Sequence, residues 1–265
     1  MAGLGKEYVI GKGKLYFDQF APGSLTGSGE QYFGNTPELS TSSDQETLEH
    51  YDADEGLNVK DESVTIEDNM TGAFVTDNIS RENLALWFGG ERSTLVQVAA
   101  TGLSDTFVAV KKGRWFQLGA GALTPSGVRN VENVVVNVLT GGTGTPTVVV
   151  AADNLDFDLE GGRVYVELDS PAIADGDTIE VTYDVQNSER DVTVGKGMEV
   201  RGSLRFLSRN PIGSQTDYFW PYVKITANGD LNMKGDEWQQ IPFSFEILKK
   251  NATTERVYID NRKRG

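Results

Sequence analysis

The sequence predicts a mainly β protein with one short helix, at residues 80–88, and an inserted β-rich region. Apolar and polar residues alternate over run after run, the signature of strands buried on one side. Thirty glycines in 265 residues punctuate those runs, as hairpin and turn positions require. Paired helix start and stop signals mark a single stretch.

In chain order, Tyr8-Val9-Ile10 and Lys14-Leu15-Tyr16-Phe17 read as an early strand. Residues 22–34 form a Gly/Ser-rich loop, too polar for a core. An acidic strand pair follows, in which Val64 and Ile66 alternate with Ser63, Thr65 and Glu67, giving one apolar and one polar face. The helix comes next. Ser80 fits its N-cap, Ile79 and Leu84 a hydrophobic staple, and Gly89 or Gly90 the left-handed residue that closes it. Leu84, Trp87 and Phe88 fall on one face, to be docked on a sheet.

Residues 95–194 have a different texture and read as a small β-sandwich inserted into a core domain made of residues 1–94 and 195–265. The clearest unit is Leu155 to Leu168, where Gly161-Gly162 suits a two-residue type I′ turn. That turn pairs Leu159 with Val164, Phe157 with Val166 and Leu155 with Leu168, all apolar on one face. Val131 to Leu139 and Thr178 to Tyr183 add strands. Beyond Gly197 the long amphipathic strands return. Val200, Leu204 and Phe206 form one apolar row, Phe219, Val223 and Ile225 a second, and Ile241, Phe243, Phe245 and Ile247 a third.

Composition restricts the function. The formal charge of −15 opposes a nucleic-acid-gripping role. Ten carboxylates lie between Asp44 and Asp68, with Lys60 the only Lys or Arg among them. There is no cysteine, hence no disulfide, thiolate nucleophile or thiolate metal site. No apolar run nears the ~20 residues of a membrane helix, and residues 1–14 lack the apolar segment of a secretory leader. No membrane association and an initially cytoplasmic chain are expected. The one histidine, His50, stands in an acidic strand without a nucleophile elbow, so no catalytic machinery is expected. Asp52-Ala53-Asp54-Glu55-Gly56 lacks the glycine and the bidentate glutamate that a calcium loop needs further on. No cofactor or metal is expected.

Glu46 to Tyr51, Val59 to Thr65, and Ser80 to Gly90 with its Glu82-Asn83-Leu84-Ala85-Leu86 core follow in a characteristic order and spacing. In that order they resemble the tail tube (major tail) proteins of long, non-contractile-tailed bacteriophages, and the strand pattern after Gly197 fits as well. The resemblance implies a tail-tube-type β-sandwich or barrel whose copies form hexameric rings, stacked into a hollow virion tail tube. Double-stranded DNA passes through such a tube without specific binding. Assembly takes place in the host cytoplasm, with tail terminator, tape measure and distal tail proteins as further partners. On this reading one face of each long strand packs on the core and the other lines the lumen. Ser63, Thr65, Glu67, Ser244 and Glu246 are the lumen-facing candidates. Tyr51, Asp52, Asp54, Glu55 and Asp61 are the contact candidates of an acidic loop, and the basic tail Arg262, Lys263 and Arg264 is its candidate partner. Arg201 and Arg205 oppose a purely acidic lumen unless they pair with acids across a subunit boundary.

Two other readings stay open. A type VI secretion-type tube protein would share the general fold. A carbohydrate-binding module would use Trp115, Trp220, Tyr222 and Trp238 as stacking platforms, whereas their apolar neighbours point to core packing.

Overall fold

The structure is a computed structural model that describes residues 8–52, 54, 56–139, 146–149 and 151–262. The chain divides into two compact units, one of residues 1–93 and 193–265, the other of residues 94–192. In order, the elements begin with β1 (Gly13–Gln19), β2 (Gln31–Tyr32), β3 (Glu38–Asp52), β4 (Val59–Thr76), α1 (Arg81–Trp87) and β5 (Gly90–Gln97). Then come β6 (Ala100–Phe107), β7 (Arg114–Gln117), β8 (Val131–Leu139), β9 (Thr147–Val148), β10 (Leu155–Asp158), β11 (Arg163–Val166) and β12 (Thr178–Val185). β13 (Ser188–Gly195), β14 (Val200–Ser208), β15 (Gln215–Ala227), β16 (Ile241–Ile247) and β17 (Tyr258–Arg262) complete the chain. The chain crosses between the units in β5 and β13, which pair with each other.

The first unit is built on an eight-stranded sheet in the order β2-β1-β14-β15-β16-β4-β3, with β17 also pairing β15. The sheet is open: β2 and β3 stand at its two ends. Ile241, Phe243, Phe245 and Ile247 are all buried, as their alternation requires. They join Leu15, Phe17, Phe74, Leu204, Val223 and Ile225 in one core. Phe33 also lies in this core at 1 % exposure, with its ring centroid 4.7 Å from Phe74. Its loop, read as too polar for a core, therefore carries an anchor. Each such ring, fully buried, contributes roughly 1.5–3 kcal/mol of transfer free energy.

The expected core row Phe219–Val223–Ile225 is corrected by a bulge. Gly202 pairs Val223 but Leu204 pairs Trp220, so β15 carries one residue more than β14 in this interval. Trp220 therefore turns inward, at 3 % exposure, and Phe219 turns out beneath the Arg205 guanidinium, 4.2 Å from its ring centroid.

α1 starts where the sequence places it. The Ser80 hydroxyl accepts the Asn83 backbone N–H, and Gly89 follows the C-cap with φ +54°. The buried face differs from expectation. Asn83, Ala85 and Leu86 are buried, Leu84 and Trp87 pack against the core, and Phe88 stays 39 % exposed. The Trp87 indole donates to the Pro242 carbonyl at 3.0 Å, tying the helix to β16.

In the second unit, a four-stranded sheet (β6-β12-β8-β9) and a three-stranded one (β10-β11-β7) share one core that includes Val136, Val138, Ile179, Val181, Val164 and Val166. The hairpin register is two residues off the expected one: Leu155 pairs Val166 and Phe157 pairs Val164. The turn is consequently four residues long, and of its glycines only Gly162 has a positive φ, +68°. The Asp158 carboxylate closes it, accepting the Gly161 N–H at 2.8 Å and pairing with Arg163 at 2.5 Å. A Cβ at Gly162 would sit 2.3 Å from the Val128 carbonyl oxygen. A shift of two keeps every residue on its face, so Leu155, Phe157, Val164 and Val166 still point inward, but Leu159 and Leu168 are exposed.

Candidate functional site

The feature that no core explains is the outer part of the hairpin β3–β4. β16 pairs β4 only from Met70 to Thr76. Beyond that point β3 and β4 have only each other, and every described residue of 41–69 is exposed. From Ser43 and Met70 to its tip, this free two-stranded arm spans roughly 30 Å at the usual strand rise.

Apolar residues stand among the charges of the arm. Leu48 lies directly opposite Val64, and with Ile66 they form an apolar stripe at 64, 55 and 54 % exposure. Val64 and Ile66 are therefore not core residues, contrary to the expectation that the apolar face of this strand packs on its own subunit. Glu46, His50 and Glu62 share the face of Leu48 and Val64, while Glu49, Tyr51 and Lys60 lie on the opposite one. The Glu49 carboxylate accepts from Lys60 at 2.6 Å and from the Tyr51 hydroxyl at 2.5 Å. These hydrogen bonds, the lysine's first, hold the Glu49 carboxyl below its ordinary range. The same carboxylate raises the Tyr51 and Lys60 pKa values. His50 Nδ1 lies 2.6 Å from the Asp61 carboxylate, both side chains exposed. Two β-bulges, beside Glu46 and beside His50, increase the local twist. Arg256 secures the base of the arm by pairing with Asp68 and donating to its carbonyl, which keeps the Asp68 carboxyl low.

Tyr51, Asp52, Asp54 and Asp61 all stand at the arm's outer end, exposed. The Asp52 side chain accepts the Asp54 N–H at 2.9 Å and shapes the turn there. Glu55, Lys263 and Arg264 lie outside the described residues. Arg262, expected to seek the acidic loop of a neighbour, is engaged at home. It donates to the Asp217 carboxylate at 2.6 Å and to the Ser208 carbonyl at 2.7 Å. Burial alone would raise the Asp217 pKa, but Arg262 and the Ser208 N–H outweigh it and hold that carboxyl low.

The lumen candidates divide into two groups. Ser244 and Glu246 lie on the polar face of β16, next to Ala73 and Thr71 of β4. Alternation along β4 carries that face on to Glu67. Ser63 and Thr65 lie past the bulge on the free arm, away from Ser244 and Glu246. Arg201 and Arg205 pair within the chain, with Glu199 and Glu30, both at 2.6 Å. No acid from another subunit is needed to neutralise them. Of the aromatic platform candidates, Trp220 is buried, but Trp115 and Trp238 are 43 and 94 % exposed, contrary to the expected core packing.

A second surface was not singled out from the sequence. A groove of about 670 Å³ opens between the two ends of the sheet, lined by Lys12, Lys14, Tyr32, Leu39, Ser40, Thr41, Phe206, Arg209, Tyr218 and Trp220 among others. Backbone bonds place two of its cations side by side: the Arg209 N–H donates to the Lys12 carbonyl at 2.6 Å, and the Lys12 N–H to Asn210 Oδ1 at 2.8 Å. Among the described residues, no carboxylate lines this groove. The signal available beforehand was the run Gly11-Lys12-Gly13-Lys14, an unusual concentration of positive charge in an acidic chain.

Among the described residues no cluster of acidic, histidine or cysteine side chains is arranged to hold a metal ion. No described helix is long and apolar enough to cross a membrane. Residues 8–257 match the family described as protein of unknown function UCP028589. The chain belongs to that family. No curated protein matches it.

Proposed function

We propose that this protein is the repeating subunit of a self-assembling hollow tube, of the kind built by the tail tube proteins that its first third resembles. The observation that carries this reading is the free arm of β3–β4. Its apolar stripe and its unpaired strand edges gain burial and hydrogen bonds only when another chain covers them. An isolated two-stranded ribbon is marginal in water, so an arm of this length is explained by a partner surface. In this reading the polar face bearing Ser244, Glu246 and Glu67 turns to the lumen. The net negative charge lets DNA pass without adhering, because phosphate affinity depends on unpaired Lys and Arg. The site of action is the virion tail, with tail terminator, tape measure and distal tail proteins as the other contacts.

Negative-stain electron microscopy across a concentration series, with light scattering, tests the reading. Rings or hollow tubes are expected from the intact chain. Discrete monomers at every concentration, both alone and with a nucleating tail complex, would remove it. One observation favours a second reading: Trp115 is partly exposed beside Tyr165, ring centroids 5.1 Å apart, on the outer face of a sheet. Such a pair suits saccharide stacking, and a glycan array would detect it.

A further inference from the structure

We propose that the groove between the two ends of the sheet is the receptor for the acidic arm of a second copy of this chain. This rests on the self-assembly reading and names the two surfaces that meet. Charge is the first argument. Among the described residues the groove presents Lys12, Lys14 and Arg209 and no carboxylate, in a chain of net charge −15. None of the three makes an ion pair among the described residues; Lys14 rests over the Tyr32 ring, 5.2 Å from its centroid. The arm is the opposite, with ten carboxylates and Lys60 between Asp44 and Asp68. Arg262, the obvious alternative cation, is already held by Asp217.

Shape and polarity agree with charge. The rows of Tyr32, Phe206 and Tyr218 offer apolar and aromatic surface to residues such as Leu48, Leu57 and Val64, which are 64, 74 and 55 % exposed on the arm. The groove is also bordered by β3 at the end of the sheet, whose outer edge is free to pair with an extended segment. A chain cannot fill its own groove with its own tip. Leu39 to Thr41 line the groove and belong to the same strand that runs out to Asp52, about 35 Å further at strand rise.

Arm and groove are different surfaces, so the contact is heterologous. Each copy gives an arm and receives one, and the contact propagates into a ring or a stack instead of closing as a two-fold pair.

The test is a charge exchange in the full chain, read by sedimentation velocity over a range of concentration and salt. One variant carries K12E, K14E and R209E; a second carries D52K, D54K, D61K and E62K; a third carries all seven. Wild type should self-associate, with affinity falling as salt rises. Each partial variant should associate roughly tenfold or more weakly, and the seven-fold variant should recover. Association of the groove variant at the wild-type level would overturn the receptor assignment while leaving the tube reading standing. A wild type that stays monomeric throughout, with a nucleating tail complex as well as alone, would overturn both. Circular-dichroism melting checks that the variants fold. If the groove variant does not fold, a photo-crosslinking p-benzoylphenylalanine at Leu57 replaces it. Adducts should map to the Tyr32 or Arg209 peptides of a second, isotopically labelled copy, and adducts confined to other surfaces would overturn the assignment.

Discussion

Asn83 holds three segments together with one amide. It is fully buried, and its Nδ2 donates to the carbonyls of Phe33 and Asn78 at 2.8 and 2.9 Å. These bonds fasten α1 to the loop that carries Phe33 into the core. Asn83→Asp replaces the donor with a carboxylate facing two carbonyl oxygens. The loss of stability should reach at least about 3 kcal/mol, seen as a lowered urea midpoint; an unchanged midpoint would show that the amide is not a tie. A helical pattern by itself reads Asn83 as one more polar surface position, because nothing local announces the two carbonyls it meets. Asp217 plays a similar part at the end of β14. Its carboxylate accepts the Ser208 N–H at 2.8 Å and binds Arg262. Its folded pKa is depressed, so its contribution is complete above the ordinary carboxylate range near 4 and disappears as pH falls through the lowered value. Asp217→Asn should cost roughly 1.5–3 kcal/mol at neutral pH. Its thermal midpoint should then drop less on acidification than that of the wild type, which differential scanning calorimetry measures.

Among the elements, β3 and β4 combine two roles in continuous strands. Their inner ends pair with β16 and bring Phe74 into the core, with Gly72 giving the Phe245 ring its place: a Cβ at Gly72 would lie 2.3 Å from that ring. Their outer ends bury nothing within the chain. Replacing residues 44–69 with an Asn-Gly turn joining Ser43 to Met70 should therefore leave the thermal midpoint within a few degrees, since it removes no described core residue and, of the contacts to the rest of the chain described above, only the partly exposed Asp68–Arg256 pair. Assembly should be abolished, as electron microscopy of the variant would show; tubes of normal appearance would end the arm's role. Alternation of Val64 and Ile66 was legible, and so was that of Phe243 and Phe245. The difference in their fates was not. Alternation says that a strand has an apolar face, while burial depends on whether a second layer lies over that face.

At the scale of the whole molecule, the two units have separate cores, one centred on Phe74 and Phe243, the other on Val164 and Val181. β5 and β13 pair where the chain enters and leaves the second unit. Joining Ser93 to Thr193 through a short turn should accordingly give a folded, cooperatively melting first unit with its β-rich circular dichroism intact. A molten, non-cooperative product would show that its core depends on residues 94–192.

The sequence by itself determined what depends on neighbours a few positions away. This covers the mainly β class, the helix with its Ser80 cap and its exit at Gly89 or Gly90, the inward row Ile241 to Ile247, and the acidity of residues 44–68. These follow from side-chain periodicity, capping chemistry and charge, which need no knowledge of the rest of the chain. Only the tertiary structure decided the inward turn of Trp220 through a one-residue bulge, the four-residue turn after Asp158, the capture of Arg262 by Asp217, and the meeting of Lys12, Tyr32 and Arg209 in one groove. Each depends on segments tens to hundreds of residues apart along the chain, the turn through Gln117 and Leu118, which donate to the Gly161 and Gly162 carbonyls. Their encounter is settled by the total packing and hydrogen bonding of the sheet, which no local pattern encodes.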